Sequence, residues 1–185
     1  MKMPGKTMYV ILGLLSEQPL TGYEMKKIID LRFHFFWSES YGQLYPELKR
    51  MLDQQLIALI VTEETSRGKQ QYRITPEGLE ELRRWLYLPP ETETLRLEIL
   101  LKLYFAKLAS TEVMRAHVAA FHAAHQMDLL ILDRFKQELE SIDDPHHNHG
   151  DILRVIDFGI KTNNAYIAWC TETLQYLQGD QDHET

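Results

Sequence analysis

A chain of 185 residues, 44% of them hydrophobic and 25% charged, carries enough apolar side chains for two small domains with ordinary cores. Its single cysteine, Cys170, excludes an intramolecular disulfide, and among apolar helical neighbours that thiol reads as inert packing. The net charge of −7 argues at first against a polyanionic partner, and the lack of a charged-then-apolar leader or membrane-length run predicts a cytoplasmic protein with no membrane partner.

Met8 to Leu15 is a nearly unbroken apolar run, too short to span a bilayer, which predicts a buried core helix ended by Pro19. Thr21-Gly22-Tyr23-Glu24 has the form of a capping box, and Tyr23, Met25, Ile28, Ile29 and Phe33 keep a helical period behind it. A third helix is signalled at Ser40, a good N-cap with Gln43 three residues on. Leu44, Leu48, Met51 and Leu52 then recur on one face. The opposite face offers Tyr41, Gln43, Tyr45, Lys49 and Arg50, a mixture of hydrogen-bonding, aromatic and cationic groups suited to base edges and phosphates in a major groove. Pro46 falls near the sixth position of this helix, where its ring presses on the carbonyl of Gly42, so a loosened or 3₁₀-like first turn is expected.

Leu56 to Thr62 and Gln71 to Ile74 are short β-prone runs joined through the turn Ser66-Arg67-Gly68-Lys69, which reads as a hairpin. Two cations around a glycine allow close approach to a phosphate backbone or a minor groove; the alternative is a solvated tip, and the position directly behind a recognition helix favours DNA. Thr75-Pro76-Glu77 starts a further helix through Leu79, Leu82, Trp85 and Leu86, stopped by Pro89-Pro90. Three helices, a wing and a helix make a winged helix-turn-helix. Its candidate DNA contacts are Thr21 and Tyr23 at the head of the second helix, Ser40, Tyr41, Gln43, Tyr45 and Lys49 on the third, and Arg67, Gly68 and Lys69 in the wing.

The acidic charge is unevenly spread. Residues 1–88 hold 12 Lys and Arg against 11 Asp and Glu, a balance of +1, whereas residues 89–185 hold 8 against 16, a balance of −8. A near-neutral domain still binds a duplex when its cations share a face, and Lys26, Lys27, Lys49, Arg50, Arg67 and Lys69 are candidates for that face. Affinity is then expected to be modest and strongly salt-dependent.

In the second half, Leu95 to Leu108 is densely apolar, and a long helix is expected from about Ser110 to Ile142. Met114, Val118, Phe121, His125, Asp128, Leu132, Phe135, Leu139 and Ile142 follow alternating spacings of four and three along it. After the loop Asp143 to Gly150 a last helix repeats the spacing at Leu153, Ile156, Ile160, Asn163, Ile167, Cys170, Leu174 and Leu177. Such stripes form either an ordinary core or an intermolecular seam. A reading head that works in pairs on an inverted repeat favours the seam, with Phe121, Leu132, Phe135, Leu139, Ile156, Ile160, Asn163, Ile167 and Leu174 as its dimerisation residues. Asn163 would fix register or oligomer state by pairing with a second amide, or lie in a solvated gap; His125 and Asp128, one turn apart, would bond each other, orient a ligand, respond to pH, or face solvent.

Three stretches resemble the PadR family of bacterial transcriptional regulators: Leu20-Thr21-Gly22-Tyr23-Glu24, Phe36-Trp37 with Ser40 through Arg50, and Tyr72-Arg73-Ile74-Thr75-Pro76-Glu77-Gly78. They occur in the family's order and spacing. The helical remainder is similar, by pattern, to the larger subgroup that includes virulence-gene activators. The resemblance implies a repressor and a small-molecule effector, with the crevice between domains or the dimer axis as the natural place for that effector.

The histidines do not make a metal case. His117, His122 and His125 miss the spacing of paired helical ligands, and His146-His147-Asn148-His149 lacks carboxylate or thiolate partners at recognisable spacing. No glycine-rich phosphate loop, nucleophile elbow or cysteine–histidine pairing supports an enzyme, and no cofactor is expected. The expected fold is mainly α: a winged helix-turn-helix with a two-stranded wing over residues 1–88, then a coiled-coil-like helical dimerisation region over 89–185. The expected function is a homodimeric regulator on a pseudo-palindromic operator in double-stranded DNA; the rival reading is a winged-helix adaptor whose third helix meets a protein.

Overall fold

In the computed structural model, which describes residues 5–60, 70–92 and 95–179, the first apolar run forms helix α1 (Thr7–Glu17). Met8, Ile11, Leu12, Leu14 and Leu15 all enter the core of the first of two compact units, residues 1–92 and 93–185. A two-residue strand β1 (Leu20–Thr21) leads into α2 (Gly22–Ile28), which ends in a π-helical turn, Ile29–Phe33. Both halves of the expected capping box form. The Glu24 amide donates to Thr21 Oγ1 at 3.2 Å, and the Thr21 amide donates to Glu24 Oε2 at 2.7 Å. Met25 and Ile29 are fully buried, but Tyr23, expected on the same apolar face, is 64% exposed. Two residues turn an α-helix through about 200°, so Tyr23 points away from the core that Met25 enters.

Helix α3 (Tyr41–Asp53) buries Leu44, Leu48 and Met51 and keeps Leu52 half-buried against the same core. Its first turn is α-helical but includes one 3₁₀-type bond, so the loosened or 3₁₀-like turn expected from Pro46 forms in part. The Ser40 carbonyl accepts from both the Gln43 and the Leu44 amides at 3.0 Å. Proline removes only the donor to the carbonyl of Gly42, an exposed residue in the first turn, where solvent can take its place.

Strands β2 (Ile57–Ile60) and β3 (Gln71–Ile74) pair antiparallel, with Ile57 opposite Ile74 and Ile60 opposite Gln71. The far edge of β3 takes β1, Leu20 opposite Tyr72, which makes a three-stranded sheet in the order β1-β3-β2 where the sequence led us to expect two strands. A strand of two residues has no alternation to read. The expected turn at Ser66-Arg67-Gly68-Lys69 lies outside the described residues.

Thr75 caps α4 (Pro76–Leu86) by accepting from the Gly78 amide at 3.1 Å, with Pro76 at the first helical position as expected. The same hydroxyl lies 2.9 Å from the Leu56 carbonyl, so one side chain fastens the helix to the start of the hairpin. Tyr9 of α1 stacks on Trp85 of α4 with centroids 4.5 Å apart, and Lys6 pairs with Glu91 at 3.0 Å, which draws the segment after Pro89-Pro90 onto this unit.

The second unit contains α5 (Glu98–Tyr104), a 3₁₀ turn (Ala106–Leu108), and two helices of 31 residues each, α6 (Thr111–Ser141) and α7 (His149–Gly179). The two apolar stripes face each other within one chain. Met114, Val118, Leu132 and Leu139 of α6 and Ile156, Asn163, Cys170 and Leu177 of α7 are buried, and Phe121 and Leu174 pack against that core. Phe135, Ile160 and Ile167 are half-buried, while Ile142 is 61% exposed beyond the end of α6. A short connection between long helices makes antiparallel neighbours, so an intramolecular hairpin occupies much of the face expected to form an intermolecular seam.

Asn163 shows this most directly. Its side-chain oxygen accepts from His125 Nδ1 at 2.7 Å, and its Nδ2 donates to the Gly159 carbonyl at 2.9 Å. The partner is a histidine of the same chain, not a second amide across a dimer, and the expected solvated gap is absent because Asn163 is 4% exposed. Asp128 Oδ2 stands 3.8 Å from the same histidine nitrogen. Asn163→Leu strips His125 Nδ1 of its acceptor and is expected to lower stability by about 1–3 kcal/mol while leaving one oligomeric species. Denaturant melts with sedimentation velocity check this; a gain in stability with mixed species would restore the register role.

Candidate nucleic-acid interface

The exposed face of α3 carries four of the ten expected contacts. Tyr41 and Tyr45 are 46% and 48% exposed, and Gln43 and Lys49 are exposed beside them. Residues 41 and 45 are one turn apart, which lets the two rings stack at 6.0 Å with 19° between their planes. From α2, Lys26 sets its ammonium 5.5 Å over the Tyr41 ring and pairs with Asp30, so this cation is tethered and largely covered. Tyr23, Lys27, Asp30, Leu31 and Tyr41 line a shallow cavity of about 350 Å³ between the two helices. Lys27 and Lys49 are the exposed cations of this face among the described residues.

Arg50, expected among the DNA-facing cations, is turned aside. Its Nε donates to Glu47 Oε2 at 2.9 Å, Nη2 also meets Glu47 Oε1, and Nη2 reaches Met8 Sδ at 3.5 Å. The hydrogen bonds that Arg50 donates to Glu47, one turn back, raise the guanidinium pKa further and outweigh the opposing effect of burial. An acid three residues before an arginine was the available signal.

Thr21 and Ser40 occupy helix starts and commit their hydroxyls there. Ser40 Oγ accepts from the Gln43 amide at 3.2 Å, while Gln43 Oε1 accepts from the Ser40 amide at 2.9 Å and from Ser40 Oγ at 2.8 Å. Bidentate reading of adenine needs both ends of a glutamine side chain. With Oε1 held in the cap, Nε2 is left to donate to base acceptors. Gln43→Ala is therefore expected to cost about 1 kcal/mol of stability without any DNA present, and to relax preference for an acceptor-bearing base edge. Chemical denaturation and operator titrations separate the two effects; unchanged stability would mean that the cap does not depend on this side chain. Arg67, Gly68 and Lys69 lie outside the described residues.

Sequence reasoning passed over Glu39, which precedes the N-cap. Glu39 is 5% exposed, and its Oε1 accepts from Thr7 Oγ1 and Trp37 Nε1, both at 2.8 Å. This joins the start of α1 to the entry of α3. Nothing in the residue pattern marked Glu39 as internal.

A winged helix with an exposed aromatic and cationic third helix, followed by a long helical hairpin, defines a DNA-binding transcriptional regulator. Residues 11–84 match the model of the transcriptional regulator PadR-like family, and residues 95–178 match that of the virulence activator α C-terminal domain. The first unit thus belongs to the PadR-like family, and the second carries the C-terminal domain of the virulence-activator type. It is similar to the negative transcriptional regulator PadR of Bacillus subtilis, 37% identical over 106 residues that cover 56% of this chain and 58% of that relative. The sequence match thus spans little over half of that protein. Structurally, the chain is similar to Bacillus subtilis PadR in complex with operator DNA, with a TM-score of 0.76, 27% identity and coverage of 91% and 96% of the two chains. It is also similar to Bacillus subtilis PadR in complex with p-coumaric acid, with a TM-score of 0.72, 26% identity and coverage of 94% and 99%.

Proposed function

We propose that this chain is a homodimeric repressor that sets α3 into the major groove of a pseudo-palindromic operator and is released by a small molecule. The observation that carries the reading is the exposed row of Tyr41, Gln43, Tyr45 and Lys49 on a helix whose other face is locked into the core. The relative's name and its operator complex support repression and operator binding, and its complex with p-coumaric acid supports an effector of the small aromatic acid class. The second unit supports the dimer. Leu101, Tyr104, Leu108, Leu130 and Phe158 are 60–90% exposed there, apolar side chains that a second copy of the chain would cover. The units responsible are residues 1–88 for DNA and 89–185 for dimerisation and sensing.

Gel shifts of the full chain on genomic fragments, at two salt concentrations and with or without p-coumaric acid, test this. A subset of fragments is expected to shift at the higher salt, where non-specific binding fades. Uniform weak shifts, or none, would favour a protein partner for α3. A shift that p-coumaric acid leaves unchanged would reject that acid as the releasing molecule.

A further inference from the structure

We propose that Gly22 is a specificity-determining position, because its missing side chain seats the ring of Tyr45 at the angle from which α3 reads DNA. This rests on the operator-binding reading above. Gly22 opens α2 directly behind the N-cap Thr21 and is buried. Its φ lies outside the left-handed range, so the backbone does not call for glycine, and helix propensity at this position favours alanine. Space is the remaining reason. A Cβ at residue 22 would lie 3.0 Å from Tyr45 Cε1 and 3.2 Å from both Cζ and Oη.

The consequence runs along the exposed face. Tyr45 is half wedged against Gly22 and half open, and its ring stacks on Tyr41, over which Lys26 stands. Gly22, Tyr45, Tyr41 and Lys26 thus form a row that ties the start of α2 to the outer face of α3. A held ring presents one edge and one hydroxyl at a fixed place. Such a surface selects by contact with a base edge, such as a thymine methyl, while the phosphate contacts that give non-specific affinity come from elsewhere. A methyl at residue 22 displaces the end of a flexible side chain and not backbone, so the domain still folds while the reading surface shifts.

Titration of full-length protein against a fragment that the unaltered chain prefers, and against random duplex at the same salt, tests the proposal. For Gly22→Ala, the ratio of operator to random affinity is expected to fall about tenfold, the loss typical of one misread base pair, with random-DNA affinity and Tm unchanged. In a Tyr45→Ala background, adding Gly22→Ala is expected to change the ratio no further. An unchanged ratio, or the same tenfold loss without Tyr45, overturns the proposal. A readout without DNA keeps it separate from the operator reading: the ¹³Cε signal of Tyr45 is expected to move in Gly22→Ala, and a signal that stays put removes the seat. Absence of any preferred fragment for the unaltered chain, with the Tyr45 signal moving, would instead remove the operator reading and with it the specificity role.

Discussion

A chain ending at Thr92 is expected to keep its winged-helix fold, run as a monomer in light scattering and lose operator affinity by about 10²–10⁴-fold. The fold persists because the first unit is closed on itself. Its core is continuous from Met8 to Leu82, and Glu91 is still present to pair with Lys6. In the homodimer proposed above, affinity falls because two linked half-site contacts become one, and the second contact costs little entropy only while the partner holds it nearby. Random-duplex binding per domain should change far less, since each domain keeps its exposed lysines. A stable dimer from this fragment would place the interface in the first unit, and the exposed apolar side chains of the second would then need another partner.

Gly78→Ala is expected to destabilise the first unit by about 3 kcal/mol or more, lowering its Tm by more than about 10 °C. A Cβ there would lie 2.0 Å from the Leu56 carbonyl oxygen and 3.1 Å from Ile74 Cγ1. The carbonyl cannot simply withdraw. It accepts from the Thr75 amide at 3.1 Å and lies 2.9 Å from the Thr75 hydroxyl, and Thr75 caps α4 through the Gly78 amide. Relief of the clash therefore breaks the cap, the anchor of the hairpin, or both. The contrast with Gly22 is physical: there a Cβ meets the end of a side chain, here it meets bonded backbone. Thermal melts by circular dichroism check the prediction; a loss within about 0.5 kcal/mol, the usual range for surface changes, would show that the α4 entry relaxes freely.

Where the information was local, the sequence determined the outcome. The capping boxes at Thr21 and Ser40 and the Thr75-Pro76 start rest on side chains three residues from the amides they serve, so their spacing was enough to place α2, α3 and α4. The buried face of α3 followed from helical period alone, and so did the exposure of Tyr41, Gln43, Tyr45 and Lys49 on the opposite side of the cylinder, whereas Arg50 is drawn back to Glu47. The motifs that resemble the PadR family occupied these same positions. Other features depended on segments far apart in the chain, and only the tertiary structure decided them. Strand β1 exists because Tyr72 lies beside Leu20, and Glu39 is buried because Thr7 and Trp37 meet it. Gln43 resembled a base reader until its oxygen was found in the cap, and Tyr45 gained its seat only when α2 crossed α3 at Gly22. The stripes of α6 and α7 had a period that sequence could read but a partner that it could not. A four-and-three spacing says that a face must be covered, and the antiparallel hairpin, with His125 bonded to Asn163, covers it from within the same chain.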